Sequence, residues 1–374
     1  MALLDFPDKP IAMPNSLVVI KFGSSSLTEV HGQISHDRLA AIVRDIDELK
    51  AKGVDVVLVS SGAIAAGRGA MPGNVSSELS DLQALAAIGQ SKLMAAWGRA
   101  FEHGRHTVAQ ILLTAHDFGD RTAYLSTKAT IERLRSWNAI AIINENDTTA
   151  TEEITLGDND RLSALVASLL GAQLLLILTD TPGVFASDPR LDHEAPLIED
   201  VTNVDRELRQ AAGGPGEIGT GGMVTKIAAA KIASWSGVPC VIAGAETPSV
   251  IQRVWDGERL GTRIHPRTPT LSARKVWIAF ARRPSGTIVI DAGAARALTA
   301  GGGSLLSVGV KEVHDDFEAG DAIDIVDGEG NLVAKGIARL GAHDGIIGVS
   351  SSSVVVVHRN DLVIFHGQAR HAVD

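Results

Sequence analysis

Apolar residues in this chain come in two textures: short unbroken runs, and runs spaced by three or four. Ala139–Ile143 is an unbroken run of strand length that stops at Asn144-Glu145-Asn146-Asp147. A second polar cluster, Gly157-Asp158-Asn159-Asp160, precedes apolar residues at Leu162, Leu165, Val166 and Leu169. That spacing is helical. Gly171 follows where a C′ glycine would end the helix. Leu174–Leu178 is continuous rather than alternating, as a strand buried on both faces would be. It too ends in polar residues, Thr179-Asp180.

The same textures extend in both directions. They predict strands at 17–20, 55–59, 108–113 and 239–243, and helices at 34–50, 79–100, 117–138 and 225–234. Such alternation predicts an α/β fold, a three-layer α/β/α sandwich with a mainly parallel sheet, over residues 17–265. Right-handed crossovers would bring the strand ends near Lys21, Ser61, Asn144 and Thr179 to one side. Ligands of open α/β sheets bind on that side. Pro266 and Pro269 suit a linker, drawn at 266–285. Beyond it, short runs at 287–290, 307–310, 322–326, 333–339 and 354–357 lie between glycine turns. They predict a small β-rich domain over 286–364, a partly closed barrel. An N-terminal extension (1–16) and a polar tail (365–374) flank the whole.

Composition narrows the function. At 374 residues the chain exceeds one typical core, which fits two domains. The net charge of −10 disfavours a general nucleic-acid binder. The second domain is acidic as well, with five basic against eleven acidic residues between 286 and 364. Residues 1–16 show no basic start or apolar signal region. The most lipid-like run, 162–178, is broken by Ser163, Ser168, Gly171 and Gln173. A cytoplasmic chain without membrane spans is expected. The single cysteine, Cys240, sits in an apolar strand, so it reads as core, and an internal disulfide is excluded. No spacing of histidines or cysteines suggests zinc.

The polar residues at the strand ends carry the chemistry. Lys21-Phe22-Gly23-Ser24 follows the first strand; a lysine and a glycine there suit a phosphate, although no Walker A loop is present. Ser60 to Gly67 is a run of mostly small residues that would let a helix approach closely. Gly213 to Lys226 holds six glycines and feeds a helix start, again an arrangement that cradles anions. Val184 and Phe185 offer apolar surface for an adenine, or packing beneath their own loop. Asn and Asp are also ordinary turn and cap residues, but turns do not need so many in one place. Two lysines, glycine-rich loops and clustered carboxylates point to phosphoryl transfer, which needs charge neutralisation and in-line positioning more than covalent help.

These residues resemble a known family. KFGSSSLT at Lys21, SSGAIAAGR at Ser60, INEND at Ile143, GDND at Gly157, LTDTPGVFASDPR at Leu178 and GTGGMVTK at Gly219 are similar to the motifs of the bacterial glutamate 5-kinases, amino-acid kinases with a C-terminal PUA domain. The resemblance runs from Leu17 to about Ile364, with Ser24 where the family usually has threonine. It implies ATP-dependent phosphorylation of the γ-carboxylate of L-glutamate, the opening step of proline biosynthesis. It implies catalytic roles for Lys21, Lys226 and Asp160, with Asp160 orienting both lysines and Asp158 as the alternative organiser. Ser61, Gly62, Asn144, Asp147, Asp158 and Asn159 would bind glutamate. Lys21, Gly23, Ser24, Thr179, Asp180, Thr220, Gly221, Gly222, Met223, Val224, Thr225 and Lys226 would hold ATP. Mg²⁺ would ride on the ATP phosphates, proline would inhibit, and a homodimer or homotetramer is implied. The rival readings are a kinase for aspartate, acetylglutamate or UMP, and RNA binding through the PUA-like domain. INEND with GDND argues against the first, and the acidic charge of the second domain against the other.

Overall fold

A computed structural model describes residues 16–29, 31–71, 73, 75–149, 159–204, 207, 222–268, 270–346 and 354–368. Two compact units divide between Thr270 and Leu271.

The first unit is built on eight strands: β1 (Leu17–Phe22), β2 (Asp55–Ser60), β3 (Val108–Leu113), β4 (Ile140–Glu145), β5 (Leu174–Thr179), β6 (Asp200–Val201), β7 (Cys240–Gly244) and β8 (Thr262–Ile264). Their order in the sheet is β3-β4-β2-β1-β5-β7-β8-β6. Every pairing is parallel except β7 with β8. The central strands are buried on both faces, as their unbroken apolar runs require.

The helices are α1 (Ser24–Leu27), α2 (His36–Ala51), α3 (Ala63–Arg68), α4 (Leu79–Phe101), α5 (Ala115–Gly119), α6 (Arg121–Ser136), α7 (Asn159–Leu170), α8 (Gly222–Ser236) and α9 (Val250–Trp255). On one face, α2, α4 and α9 cover Val18, Ile20, Phe22, Leu58, Ile142 and Leu176. Trp97 of α4 is fully buried there, stacked on Phe101 and tilted against Phe22. Its indole N–H donates to the Ser60 hydroxyl at 3.1 Å, which fixes α4 to the end of β2. On the other face, α7 lies against β1 and β5, and α8 against β7. Side chains alternate across a strand, so Phe22 faces α4 while Lys21 faces α7.

The second unit has six strands: β9 (Gly286–Ile290), β10 (Leu305–Leu306), β11 (Val310–His314), β12 (Ala322–Val326), β13 (Leu332–Ala338) and β14 (Val355–Gln368). They form one sheet, β10-β14-β13-β12-β9-β11, around a core of Ile288, Ile290, Phe317, Ile323, Ile325 and Val356. The sequence expectation of a strand at 307–310 is corrected: Ser307–Gly309 is a 3₁₀ turn, and the strand starts at Val310. A helix at Ala292–Gly301 (α11), capped by the Asp291 carboxylate, was not foreseen. Helix α10 (Ala273–Val276) and a π-turn (Trp277–Ala281) also belong to this unit, with Ile278 and Ala279 fully buried.

Candidate active site

Parallel pairing of β1 with β2 and β5, and of β2 with β4, sets four carboxyl ends side by side. Asp160, in the first turn of α7, reaches back over β1. Its Oδ1 lies 2.7 Å from Lys21 Nζ, and its Oδ2 lies 3.3 Å from Lys226 Nζ. The Thr225 hydroxyl donates to the same Oδ2 at 2.6 Å. One carboxylate therefore ties together the end of β1, the start of α7 and the first turn of α8. Lys21 and Asp160 are only 5% and 4% exposed. Burial by itself would raise the Asp160 carboxyl, but the two ammonium charges, Lys21 foremost, and the hydrogen bonds from Lys21 and Thr225 outweigh it and hold the group below the ordinary carboxylate range. Asp160 is thus an anion that holds two cations at fixed positions. Lys226 also donates to the Gly222 carbonyl at 2.8 Å, which folds it back over the start of α8.

A second cluster forms where β4 ends. The Glu145 backbone N–H donates to Asn144 Oδ1 at 2.9 Å and to Asn159 Oδ1 at 3.1 Å. Asn159 Nδ2 donates to Asn144 Oδ1 at 2.9 Å, and Asn144 Nδ2 donates to Gln90 Oε1 at 2.8 Å. Next to it, Asp147 begins a 3₁₀ turn (Asp147–Thr149) and is 5% exposed. A cavity of about 260 Å³ is lined by Gln90, Gln110, Leu112, Glu145, Asp147 and Thr148, among others.

The remaining expected residues fall as follows. Ser61 N–H donates to the Phe22 carbonyl, joining the ends of β1 and β2. Gly62 caps α3 with φ of 110°, a left-handed conformation that favours glycine. Gly23 caps α1 and Ser24 starts it. The Thr179 hydroxyl donates to Asp180 Oδ1 at 2.9 Å; Thr179 is buried and Asp180 exposed. Gly222 starts α8, with Met223 and Val224 half-buried behind it. Val184 is buried beneath its own loop, its N–H bonded to the Thr262 hydroxyl. Asp158, Thr220 and Gly221 lie outside the described residues. Cys240 is fully buried, and burial, with the Asp160 charge, pushes its thiol far up. Gln90 is absent from the sequence expectations: it sits inside an alanine-rich helix with no local signal. Thr225 is expected at the ATP site, but its bond to Asp160 joins residues 65 apart in sequence.

Among the described residues there is no group of three or more His, Cys, Asp or Glu side chains placed to hold a metal ion, and no helix long and apolar enough to cross a membrane. The donor set, two lysines and the N–H groups at the start of α8, fits a polyphosphate.

Comparison with known proteins identifies the family. The profile of the amino acid kinase family matches residues 16–244, and that of the PUA domain matches 286–344. The chain is 42% identical over 364 residues to a protein named glutamate 5-kinase from Caldanaerobacter subterraneus, covering 93% of this chain and 97% of the relative. Proteins of the same name from Photobacterium profundum and Pseudomonas putida are 42% and 43% identical, with coverage of 96% and 92% of this chain and 98% and 97% of theirs. A UMP kinase from Ureaplasma parvum covers 68% of this chain and 100% of its own at 17% identity and a TM-score of 0.49, too slight a likeness to add to the assignment. The fold is that of the amino acid kinases, a class of phosphotransferases. The chain belongs to the amino acid kinase family, and within it to the glutamate 5-kinase family with its C-terminal PUA domain. Membership of a kinase family implies ATP as phosphoryl donor.

Proposed function

We propose that this chain transfers the γ-phosphoryl group of ATP to the γ-carboxylate of L-glutamate, giving L-glutamyl 5-phosphate and ADP. The observation that carries the reading is Asp160 held between Lys21 and Lys226 at the carboxyl ends of the strands. A carboxylate oxygen attacks phosphorus, the bond to the β,γ-bridging oxygen breaks, and its electrons leave with ADP. Glutamate is already ionised at neutral pH, so no general base is needed. Lys21 and Lys226 neutralise charge on the transferring group, and Asp160 fixes where they stand. Thr179, Asp180 and the residues from Gly222 to Lys226 hold ATP together with Gly23 and Ser24. Mg²⁺ would be carried by the ATP phosphates and would add charge neutralisation there, with no all-protein cage needed.

On the acceptor side, Asp147 suits the substrate ammonium, and Asn144, Asn159, Ser61 and Gly62 complete the grip. The relatives' name and their coverage of nearly the whole chain support glutamate as acceptor. The product would feed a reductive step toward proline, with proline as feedback inhibitor, a cytoplasmic location and a homodimeric or homotetrameric assembly; the resemblance to the family is the support for these. The test is Asp147→Asn. It should raise the KM for glutamate about tenfold or more while leaving the KM for ATP nearly intact. Equal losses for both substrates would remove Asp147 from the acceptor site.

A further inference from the structure

The direction of every amide in the cluster beside β4 can be worked out from one group. A backbone N–H can only donate, so the Glu145 N–H fixes Oδ1 of Asn144 and of Asn159 as the atoms facing it, at 2.9 and 3.1 Å. Asn144 Nδ2 must then point away, toward α4, into a buried region. It needs an acceptor there, and Gln90 Oε1 is that acceptor at 2.8 Å. Gln90 is 9% exposed, and its own Nε2 has no hydrogen-bond partner among the described residues. A buried amide donor without an acceptor is unfavourable. An apolar side chain of similar size would remove that orphan but leave the buried Asn144 Nδ2 without its acceptor, so what the glutamine adds is the orientation of the Asn144 amide.

We propose that Gln90 is a positioning residue of the acceptor half of the site. It orients the Asn144 amide, through it the Asn159 amide, and so the residue that directly precedes Asp160. This rests on the reading of Asn144 and Asn159 as acceptor-binding groups. The relay runs from α4 through the end of β4 to the start of α7. It links the wall of the acceptor cavity, which Gln90 lines, to the carboxylate that holds the two lysines.

The test uses the full chain with Gln90→Met, which keeps the length of the side chain and removes both the acceptor and the unpartnered donor. The KM for the amino-acid acceptor should rise about tenfold, the KM for ATP should stay within about twofold, and Tm should change little, because the orphaned donor moves from Gln90 to Asn144. Gln90→Glu, which keeps an acceptor oxygen at the same reach, should restore most of the acceptor KM. Hydrogen exchange at the Glu145 amide should be faster in Gln90→Met than in wild type. An unchanged acceptor KM overturns the proposal, as does a fall in Tm with both KM values moving together. A wild-type enzyme that phosphorylates no amino acid would sink the glutamate reading instead. The Glu145 amide then decides on Gln90 by itself, and unchanged exchange rejects the relay.

Discussion

Asp160 accepts from three groups on two other elements, and its charge explains their geometry. A buried ion pair adds little net stability, because desolvation offsets most of the attraction; removing one partner is costly, about 3–5 kcal/mol, because the other charges stay buried. The triad is therefore better understood as a device for placing two cations. Lys226→Ala should lower kcat by about 10²-fold or more while changing the KM for glutamate far less, because the cation acts on charge that develops in the transition state. Steady-state kinetics with both substrates would show this, and an unchanged kcat would remove Lys226 from the mechanism. A pH prediction follows from the lowered Asp160 carboxyl. A depressed carboxylate contributes stability that is fully present above the unfolded value, about 4, and is lost as pH falls through the folded value. Thermal unfolding from pH 7 down to about pH 2 should thus show a decline below pH 4 that is shallower in Asp160→Asn. Equal slopes would contradict the shift. Lys21, Asp160 and Asn159 could be read in the sequence because strand ends and helix starts are where such residues act. Gln90 could not: glutamine is an ordinary helix residue, and only the fold brings it to Asn144, 54 residues away in sequence.

The elements that place these residues rest on close contacts. Helix α3 starts right after Ser61-Gly62 and lies against α4, where a Cβ on Gly89 would stand 1.8 Å from the Ala63 carbonyl oxygen and one on Gly67 would stand 2.0 Å from the Leu85 carbonyl oxygen. Both obstacles are backbone, so neither can swing aside. Gly89→Ala should push α3 off α4, lower stability by about 1–3 kcal/mol and weaken acceptor binding through the displaced Ser61-Gly62 turn. Denaturant unfolding and the glutamate KM check it; a wild-type KM with wild-type stability would contradict it. The longer elements of the first unit were legible because doubly buried strands are unbroken apolar runs and its longer helices keep a period of three to four; the short β6, β8 and α9 carry too little pattern to be read from sequence. The second unit was less so. Ala292–Gly301 is rich in alanine and glycine and lacks an apolar stripe, so it passes for turns, and only the Asp291 cap and Gly302 in a left-handed conformation mark its ends. Val276–Ala281 is an apolar run, but Pro266 and Pro269 before it give the segment the composition of a linker.

At the scale of the whole molecule, every described site residue lies in the unit that ends at Thr270, and each unit has its own apolar core. A chain ending at Thr270 should therefore keep phosphoryl transfer within about tenfold of the full chain, because a domain with its own core can fold alone. A larger loss from a folded truncation would show that the second unit contributes to catalysis. The central claim is more direct still: two lysines organised by Asp160 move a phosphoryl group onto a carboxylate. An ATP- and Mg²⁺-dependent hydroxamate assay on glutamate, aspartate, acetylglutamate and UMP tests it, because hydroxylamine traps an acyl phosphate. The account predicts a hydroxamate with glutamate alone, abolished in Lys226→Ala. A signal with another carboxylate, or silence with every carboxylate alongside ADP release on UMP, would contradict it.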